Sequence, residues 1–339
     1  TWIFDGDAGA TRTILPAIRA AVSPDCTVQY VRALETSRSR SHEGFAEAVA
    51  AAEQAEVAVL VLGEESILSG EAHCRADIGL PGAQAALIDA IAATGTPIVL
   101  VLLAGRALAL ESIVDRVQAI LYAWHPGTMG GPAIAELLMG VVSPSGRLPV
   151  TMPRVVGQIP IYHAHKNTGK PVTPASFTHI DHIPVRAHQV SVGNTSFHLD
   201  VDPSPLYPFG YGLTYSTVAY DTITVSASEM SMEGTVTISA EVVNTGSREV
   251  HEVVQLYLRD LVGSVTRPVR ELKGFAKVRL LPGERRTVHF VLAADDLAFV
   301  GRDGQRRAEP GHFHAWIGGD ANATLRTEFS LVAAATGLH

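Results

Sequence analysis

Two apolar rhythms alternate along the first part of the chain. Runs VAVLVL at 57–62, IVLVLL at 98–103 and AILY at 119–122 are near-continuously apolar and of strand length. Between and before them, apolar residues recur at helical spacing. Residues 11–22 place Ile14, Leu15, Ile18 and Val22 on one face, with Thr11 as N-cap. Residues 42–55 are Ala-rich, with Phe45, Val49 and Ala52 inward. Residues 81–94 carry a Leu87, Ile88, Ile91 stripe; Pro81 suits the first turn and Gly95 closes the helix. Shorter helices are predicted at 108–115 and 131–139, and a short strand at 28–31. Apolar strands alternating with helices predict βαβ units and a mostly parallel sheet covered on both faces. Residues 1–150 are therefore expected to form an α/β sandwich domain, its sheet flanked by helices.

The rhythm changes twice more. Residues 151–215 hold no helical period and are rich in Pro, Gly, His and aromatics, as expected of an irregular connecting segment. From 216 to 339 the period becomes two. Alternation is plain at 236–243 and recurs at 253–258, 277–281, 287–292, 313–317 and 325–331, with turn signals between. About seven short strands at this spacing predict an all-β sandwich. No cysteine pair staples it, which favours the fibronectin type III-like kind.

Composition narrows the class. The 339 residues are 47% hydrophobic and 18% charged, the profile of a globular protein able to fill more than one core. Net charge is −8 and no Lys/Arg cluster supplies a phosphate footprint, which argues against nucleic acid as partner. The longest apolar run, 97–104, is far short of the roughly 18–20 residues a membrane span needs. Cys26 and Cys74 form no CxxC pair, so neither a disulfide framework nor a zinc site is expected, and Cys74 reads as a small packing residue. The start at Thr1, in mid-pattern, suggests a processed or cut chain.

Chemistry concentrates at the carboxyl end of the 57–62 strand. There the chain reads GEESILSGEAHCRAD over 63–77, and strand-end loops are where α/β sheets place ligands. A general acid for an ether-like oxygen needs a carboxyl on such a loop above a pocket. Glu71 stands among the small residues Gly70, Ala72 and Cys74; Glu64 is placed to shape the loop by accepting backbone N–H bonds; Arg75 and Asp77 are placed to pair or to brace it. Glu65 has no evident role. Ser66 and Ser69 lack a G-x-S-x-G elbow. The GTMGG run at 127–131 lacks the Lys of a P-loop and reads as tight helix-on-strand packing. His179 and His182 read as solvated loop residues rather than a metal site. NTS at 194–196 and NAT at 322–324 are glycosylation sequons by pattern.

Four stretches then carry a family resemblance. They are GEESILSGEAHCRADIGLPGAQAALIDAIAATGTPIVLVLLAGRALAL, AWHPGTMGGPAIAELLMGVVSPSGRLPVTMPRVVGQIPIYHAHKNTGKP, LYPFGYGLTYS and VTRPVRELKGFAKVRLLPGERRTVHFVL. Together they resemble the C-terminal portion of glycoside hydrolase family 3, the β-glucosidase group, across nearly the whole chain. The resemblance implies an α/β sandwich and a fibronectin type III-like domain, normally preceded by a TIM-like barrel. It implies a retaining mechanism with an aspartate nucleophile on the barrel and a glutamate acid/base on the sandwich loop. The family pattern, GE followed after six residues by E-A-x-x-R-x-D, puts the acid/base on Glu71; Gly70 stands where similar enzymes often carry histidine. Trp2 matches a tryptophan that walls the leaving-group subsite. No aspartate here sits in a context like the family's nucleophile, so the barrel is expected as a partner, separate or cleaved. The implied substrate is a β-glucoside or cello-oligosaccharide, with no metal or organic cofactor, a periplasmic or secreted setting, and room for a homodimer. A β-xylosidase of the same architecture and a non-catalytic carbohydrate-binding or assembly module are the alternatives.

Overall fold

A computed structural model describes residues 7–189 and 195–333. Backbone contacts divide them into two units, one of residues up to 142 with 152–159, the other of 143–151 with residues from 160 onward.

The first unit is built on a parallel sheet of β1 (Ala58–Gly63), β2 (Ile98–Leu103) and β3 (Ala119–Tyr122), in that order. In the central β2, Ile98, Leu100, Val101 and Leu102 lose all contact with solvent, as a strand covered on both faces must. β1 departs from that expectation: Val61 is 41% exposed, because β1 is an edge strand among the described residues. Among the described residues five α-helices accompany the sheet: α1 (Ile14–Ala21), α2 (Phe45–Glu53), α3 (Gln84–Ala92), α4 (Glu111–Val114) and α5 (Gly130–Leu138). The stripe Leu87, Ile88, Ile91 of α3 is buried as its spacing requires. The apolar face of α1 is only half-buried, and its N-cap is Thr13 rather than Thr11. The strand expected at 28–31 does not form; the run finds no ladder partner, and a strand without one leaves its backbone groups unpaired. Gly131, in the first turn of α5, serves a different contact from the one expected. A methyl on Gly131 would collide with the carbonyl oxygens of Arg12 and Thr13, so the close approach is to the entry of α1, not to a strand.

The second unit is a two-sheet sandwich. One sheet is β4 (Val218–Val225), β6 (Thr235–Asn244) and β9 (Arg285–Ala293). The other runs β5 (Glu229–Ser231), β13 (Leu325–Val332), β12 (Gly311–Gly318), β7 (Val250–Asp260), β8 (Glu271–Leu280). A short α6 (Ala294–Leu297) and the small β10 (Phe299–Val300) and β11 (Arg306–Arg307) complete it. Alternate residues face the core: Val236, Ile238, Ala240 and Val242 from β6 meet Val254, Leu256 and Leu258 from β7 and Phe313, Ala315 and Ile317 from β12. β4 and β5 escaped the sequence pattern. β4 mixes Asp221 and Thr222 into its run and carries a bulge there, and β5 is only three residues long.

The connecting segment is held to the outer face of the five-stranded sheet. Gln255 donates to the Gly210 carbonyl at 3.1 Å and also to that of Gly319, and the Ala321 amide donates to Phe209 O at 2.8 Å. His163 stacks on Phe209 with ring centroids 4.1 Å apart. A buried ion pair anchors the segment's start. Arg147 donates to Glu252 at 2.6 Å, and the Tyr220 hydroxyl donates to the other carboxylate oxygen at 2.6 Å. Glu252 is 2% exposed, so its charge rests on these partners.

Arg147→Met strands that carboxylate and is expected to destabilise the second unit by about 3–5 kcal/mol in denaturant titration, with partial recovery on adding Glu252→Gln. Wild-type stability in the single variant would show the pair to be neutral. Burial, followed by the charge of Arg270, holds the His163 imidazole below its ordinary value. The unfolded chain therefore takes that proton first as pH falls below about 6.5, and stability drops with acidification until the folded form titrates too. His163→Phe is expected to flatten this part of the pH–stability curve; an unchanged slope would mean that other groups set it.

Candidate active site

β1 ends in a knot of backbone contacts. Gly63 has φ +132°, and a methyl there would collide with the Leu103 carbonyl oxygen, so only glycine lets β1 lie this close to the end of β2. Gln84, at the start of α3 and 1% exposed, brackets Gly63 by accepting from its N–H and donating to its carbonyl, both at 2.7 Å. The same amide donates to Ser37 O at 2.7 Å.

The chain then turns Glu64 inward. Its carboxylate has no exposure and lies between two guanidinium groups, Arg75 on one oxygen and Arg106, at 2.9 Å, on the other. This corrects the expectation that Glu64 accepts backbone N–H bonds: a fully buried carboxylate needs a counter-charge, which two arginines supply. Of the two alternatives for Arg75 and Asp77, pairing with each other does not form. Arg75 reaches Glu64 and the Gly79 carbonyl at 3.0 Å, while Asp77 accepts from the Gly79 amide at 2.8 Å. Both brace the loop, separately.

Arg106 does more than neutralise Glu64. It donates to the carbonyls of Leu68 and His73, the latter at 3.2 Å, and so bridges the two ends of the hexapeptide that contains Glu71. A turn of 3-10 helix at Ser66–Leu68 leads into that hexapeptide, and within it His73 Nδ1 lies 2.9 Å from Ser69 O. Gly70 has φ +114° and Ala72 φ +63°. A left-handed alanine costs roughly 1 kcal/mol, and the clamp on either side maintains it. Glu71 stands between these two residues with its side chain exposed. Cys74 is exposed as well, not packed as expected, because the arginine clamp rather than an apolar core fills the loop's interior.

Loops from the other strands converge here. A methyl on Gly105, just past β2, would meet both the Ser69 side chain and His125 Nε2 from the loop after β3. Burial holds the His125 imidazole below its ordinary value. The Tyr122 hydroxyl donates to Arg106 O and accepts from the Leu108 amide at 3.3 Å; burial pushes that phenol well above its ordinary range. Glu65 is occupied too. It accepts from Ser37 Oγ and Arg38 Nε, both at 2.7 Å, and these bonds pull its carboxyl below the usual range.

The structure thus gathers Glu64, Glu71, Arg75 and Asp77 in one loop; Trp2 lies outside the described residues. Sequence reasoning missed Gln84, Arg106 and Arg38. A lone amide opening an apolar helix and an arginine directly after a strand-end glycine were the available signals. His179 accepts from the Asp181 amide across a single turn at 180–182, and among the described residues no three His, Cys, Asp or Glu side chains gather for a metal.

Glu64→Gln removes the charge both arginines need. It is expected to raise amide hydrogen exchange across 66–79 by at least about tenfold while β2 stays protected, since breaking a buried pair costs about 3–5 kcal/mol. Unchanged exchange in the loop would take Glu64 out of this role.

The Glycosyl hydrolase family 3 C-terminal domain matches residues 4–215, and a Fibronectin type III-like domain matches residues 252–321. The chain is 39% identical to a periplasmic beta-glucosidase of Salmonella typhimurium, over 98% of this chain and 44% of that protein. It is 35% identical to a beta-xylosidase of Formosa agariphila, over 92% of this chain and 40% of that one. The crystal structure of a beta-glucosidase from Listeria innocua in complex with isofagomine superposes with a TM-score of 0.85 at 31% identity, covering 97% of this chain and 43% of that one. The chain therefore spans less than half the length of these relatives. With one family domain over its α/β unit and connecting segment and the other within its β-sandwich, the chain belongs to glycoside hydrolase family 3.

Proposed function

We propose that this chain is the acid/base-bearing part of a retaining, exo-acting β-glycosidase that removes terminal β-D-glucosyl residues, with Glu71 as the acid/base. One observation carries the reading. Of the three glutamates in the loop, Glu64 is consumed by two arginines and Glu65 by Arg38 and Ser37. Glu71 alone is exposed with no hydrogen-bond partner among the described residues, at the tip of a clamped, strained turn. A proton donor needs that combination of a fixed backbone and an unengaged carboxyl.

In this mechanism the nucleophile is an aspartate on a barrel that is not in this sequence. It attacks the anomeric carbon while Glu71 gives its proton to the departing glycosidic oxygen, leaving a covalent glycosyl-aspartate. The Glu71 carboxylate then takes a proton from water, whose oxygen attacks the same carbon and releases the sugar with configuration retained. Such pairs stand about 5–5.5 Å apart, which requires the loop to pack over the barrel's mouth. The Salmonella relative's name supports a periplasmic setting. The likeness to the Formosa beta-xylosidase favours a second reading of the same chemistry on xylosides, with the choice made by the barrel.

In the assembled enzyme, Glu71→Ala is expected to lower kcat about 10²–10⁴-fold on substrates with poor leaving groups. The loss should be much smaller on activated aryl glycosides, with azide restoring the second step as a glycosyl azide of retained configuration. Equal losses on every substrate and no azide product would remove Glu71 from the role. Glucosides and xylosides compared in parallel on the wild-type enzyme decide between the two readings.

A further inference from the structure

The second unit holds a cleft that the proposed chemistry does not use. It lies on the outer face of the five-stranded sheet and encloses about 760 Å³. Its floor follows from strand register. Trp316 and Arg326 stand opposite one another on β12 and β13, beside the fully buried Tyr257 of β7; in the next row Arg259 lines the cleft, while His314 and Glu328 lie outside its lining. Its walls are the connecting segment, with Tyr162 and His163 on one side, and the turn after β12, with Asn322 and Thr324 on the other. The segment is pinned there by the Val269 amide donating to His165 O at 2.9 Å and by a β-bridge between Lys166 and Pro268.

The lining is charged in one sense. It includes Arg259, Arg270 and Arg326 and no carboxylate, in a chain whose net charge is −8. Arg270 is fixed: it donates to the carbonyls of Ala321 and Ala323 and sits 4.3 Å from the Trp316 ring centroid. The guanidinium groups of Arg259 and Arg326 have no hydrogen bond or ion pair among the described residues. The nearest carboxylate in their rows, Glu328, leans on His314 at 3.6 Å instead. Burial first, then Arg326, with Arg259 also contributing against Glu328, holds the His314 imidazole below its ordinary value. A second feature is independent of charge. Thr151 lines the cleft at 9% exposure, and its buried hydroxyl has no partner among the described residues. Buried polar atoms are rarely left so, and water or a ligand group reaching the floor would satisfy it.

We propose that this cleft binds a sugar bearing an oxyanion, a carboxylate or a phosphate, with the oxyanion between Arg259 and Arg326 and the sugar ring against Tyr162 and the Trp316 edge. Two guanidinium groups without counter-ions, on β7 and β13 either side of β12, suit an oxyanion held between them. The space is far larger than a bare ion requires and falls in the range of about 300–1,000 Å³ typical of small-molecule sites. Aromatic surface beside the Asn322 amide and Thr324 hydroxyl matches the apolar faces and hydroxyl rim of a sugar. The inference stands on the second unit alone and does not depend on the role of Glu71.

Isothermal titration of the full chain with methyl β-glucuronide, glucose 6-phosphate and methyl β-glucoside tests it. At least one anionic sugar is expected to bind below about 1 mM, and the neutral glycoside at least tenfold more weakly; the stronger of the two anionic arms identifies the oxyanion. Raising NaCl to 0.5 M should weaken binding severalfold, and Arg259→Gln with Arg326→Gln should weaken it at least tenfold at unchanged Tm. Three results would each overturn the proposal: no binding of either anionic sugar at 10 mM, equal binding of the neutral glycoside, or wild-type affinity in the folded double variant. If that variant does not fold, indifference of wild-type binding to salt is the overturning result.

Discussion

The loop after β1 depends on one buried carboxylate. Glu64 leaves β1 and turns into the protein, where its charge is tolerable only because Arg75 and Arg106 close on it from two directions. Each arginine has donors left over. Arg75 spends its surplus on Gly79 and Arg106 on Leu68 and His73, so the ion pair that solves the desolvation problem also ties down the loop around it. A carboxylate with two oxygens and two guanidinium partners fixes direction as well as distance, which a single lysine would not. The backbone on either side of the exposed Glu71 is tied to the same arginine that neutralises the buried Glu64.

The backbone around it follows from the same crowding. Gly63 admits no side chain because Leu103 is too near, and Gln84 replaces the hydrogen bonds the strand loses as it ends. Gly105 admits none because Ser69 and His125 meet there. The β-sandwich solves its own buried charge in a related way: Glu252 is held by Arg147 and Tyr220, which draws the segment before 152 onto the sheet. Both cases place a charge where hydrophobic packing alone would not, and both give the neighbouring backbone one defined path.

Much of this was legible in the chain. Continuous apolar runs marked the parallel strands, and period-two alternation marked β6, β7, β9, β12 and β13 to within a few residues. Both are direct images of which faces meet water. The run at 28–31 misled because four apolar-rich residues suit a strand only where a neighbour offers a ladder. β4 was hidden because a bulge interrupts its alternation. In the loop, spacing singled out Glu64, Glu71, Arg75 and Asp77 without saying which carboxylate was buried. Arg106, 42 residues from Glu64, could not be connected to it by any local pattern.

The sequence by itself determined the order of most elements, their two architectures and, through the family resemblance, the loop proposed to carry the acid/base. These follow from local periodicity and from residue types at short separations. Only the tertiary structure decided how the three glutamates divide. Burial and counter-charge come from residues distant in the chain: Arg106 beyond β2 for Glu64, and Ser37 with Arg38 before α2 for Glu65. The same holds for the paired rows on the outer sheet face, where Trp316 meets Arg326 and His314 meets Arg259 through strand register alone. Desolvation and electrostatic pairing depend on distance in space, and no short-range pattern in a sequence encodes that distance.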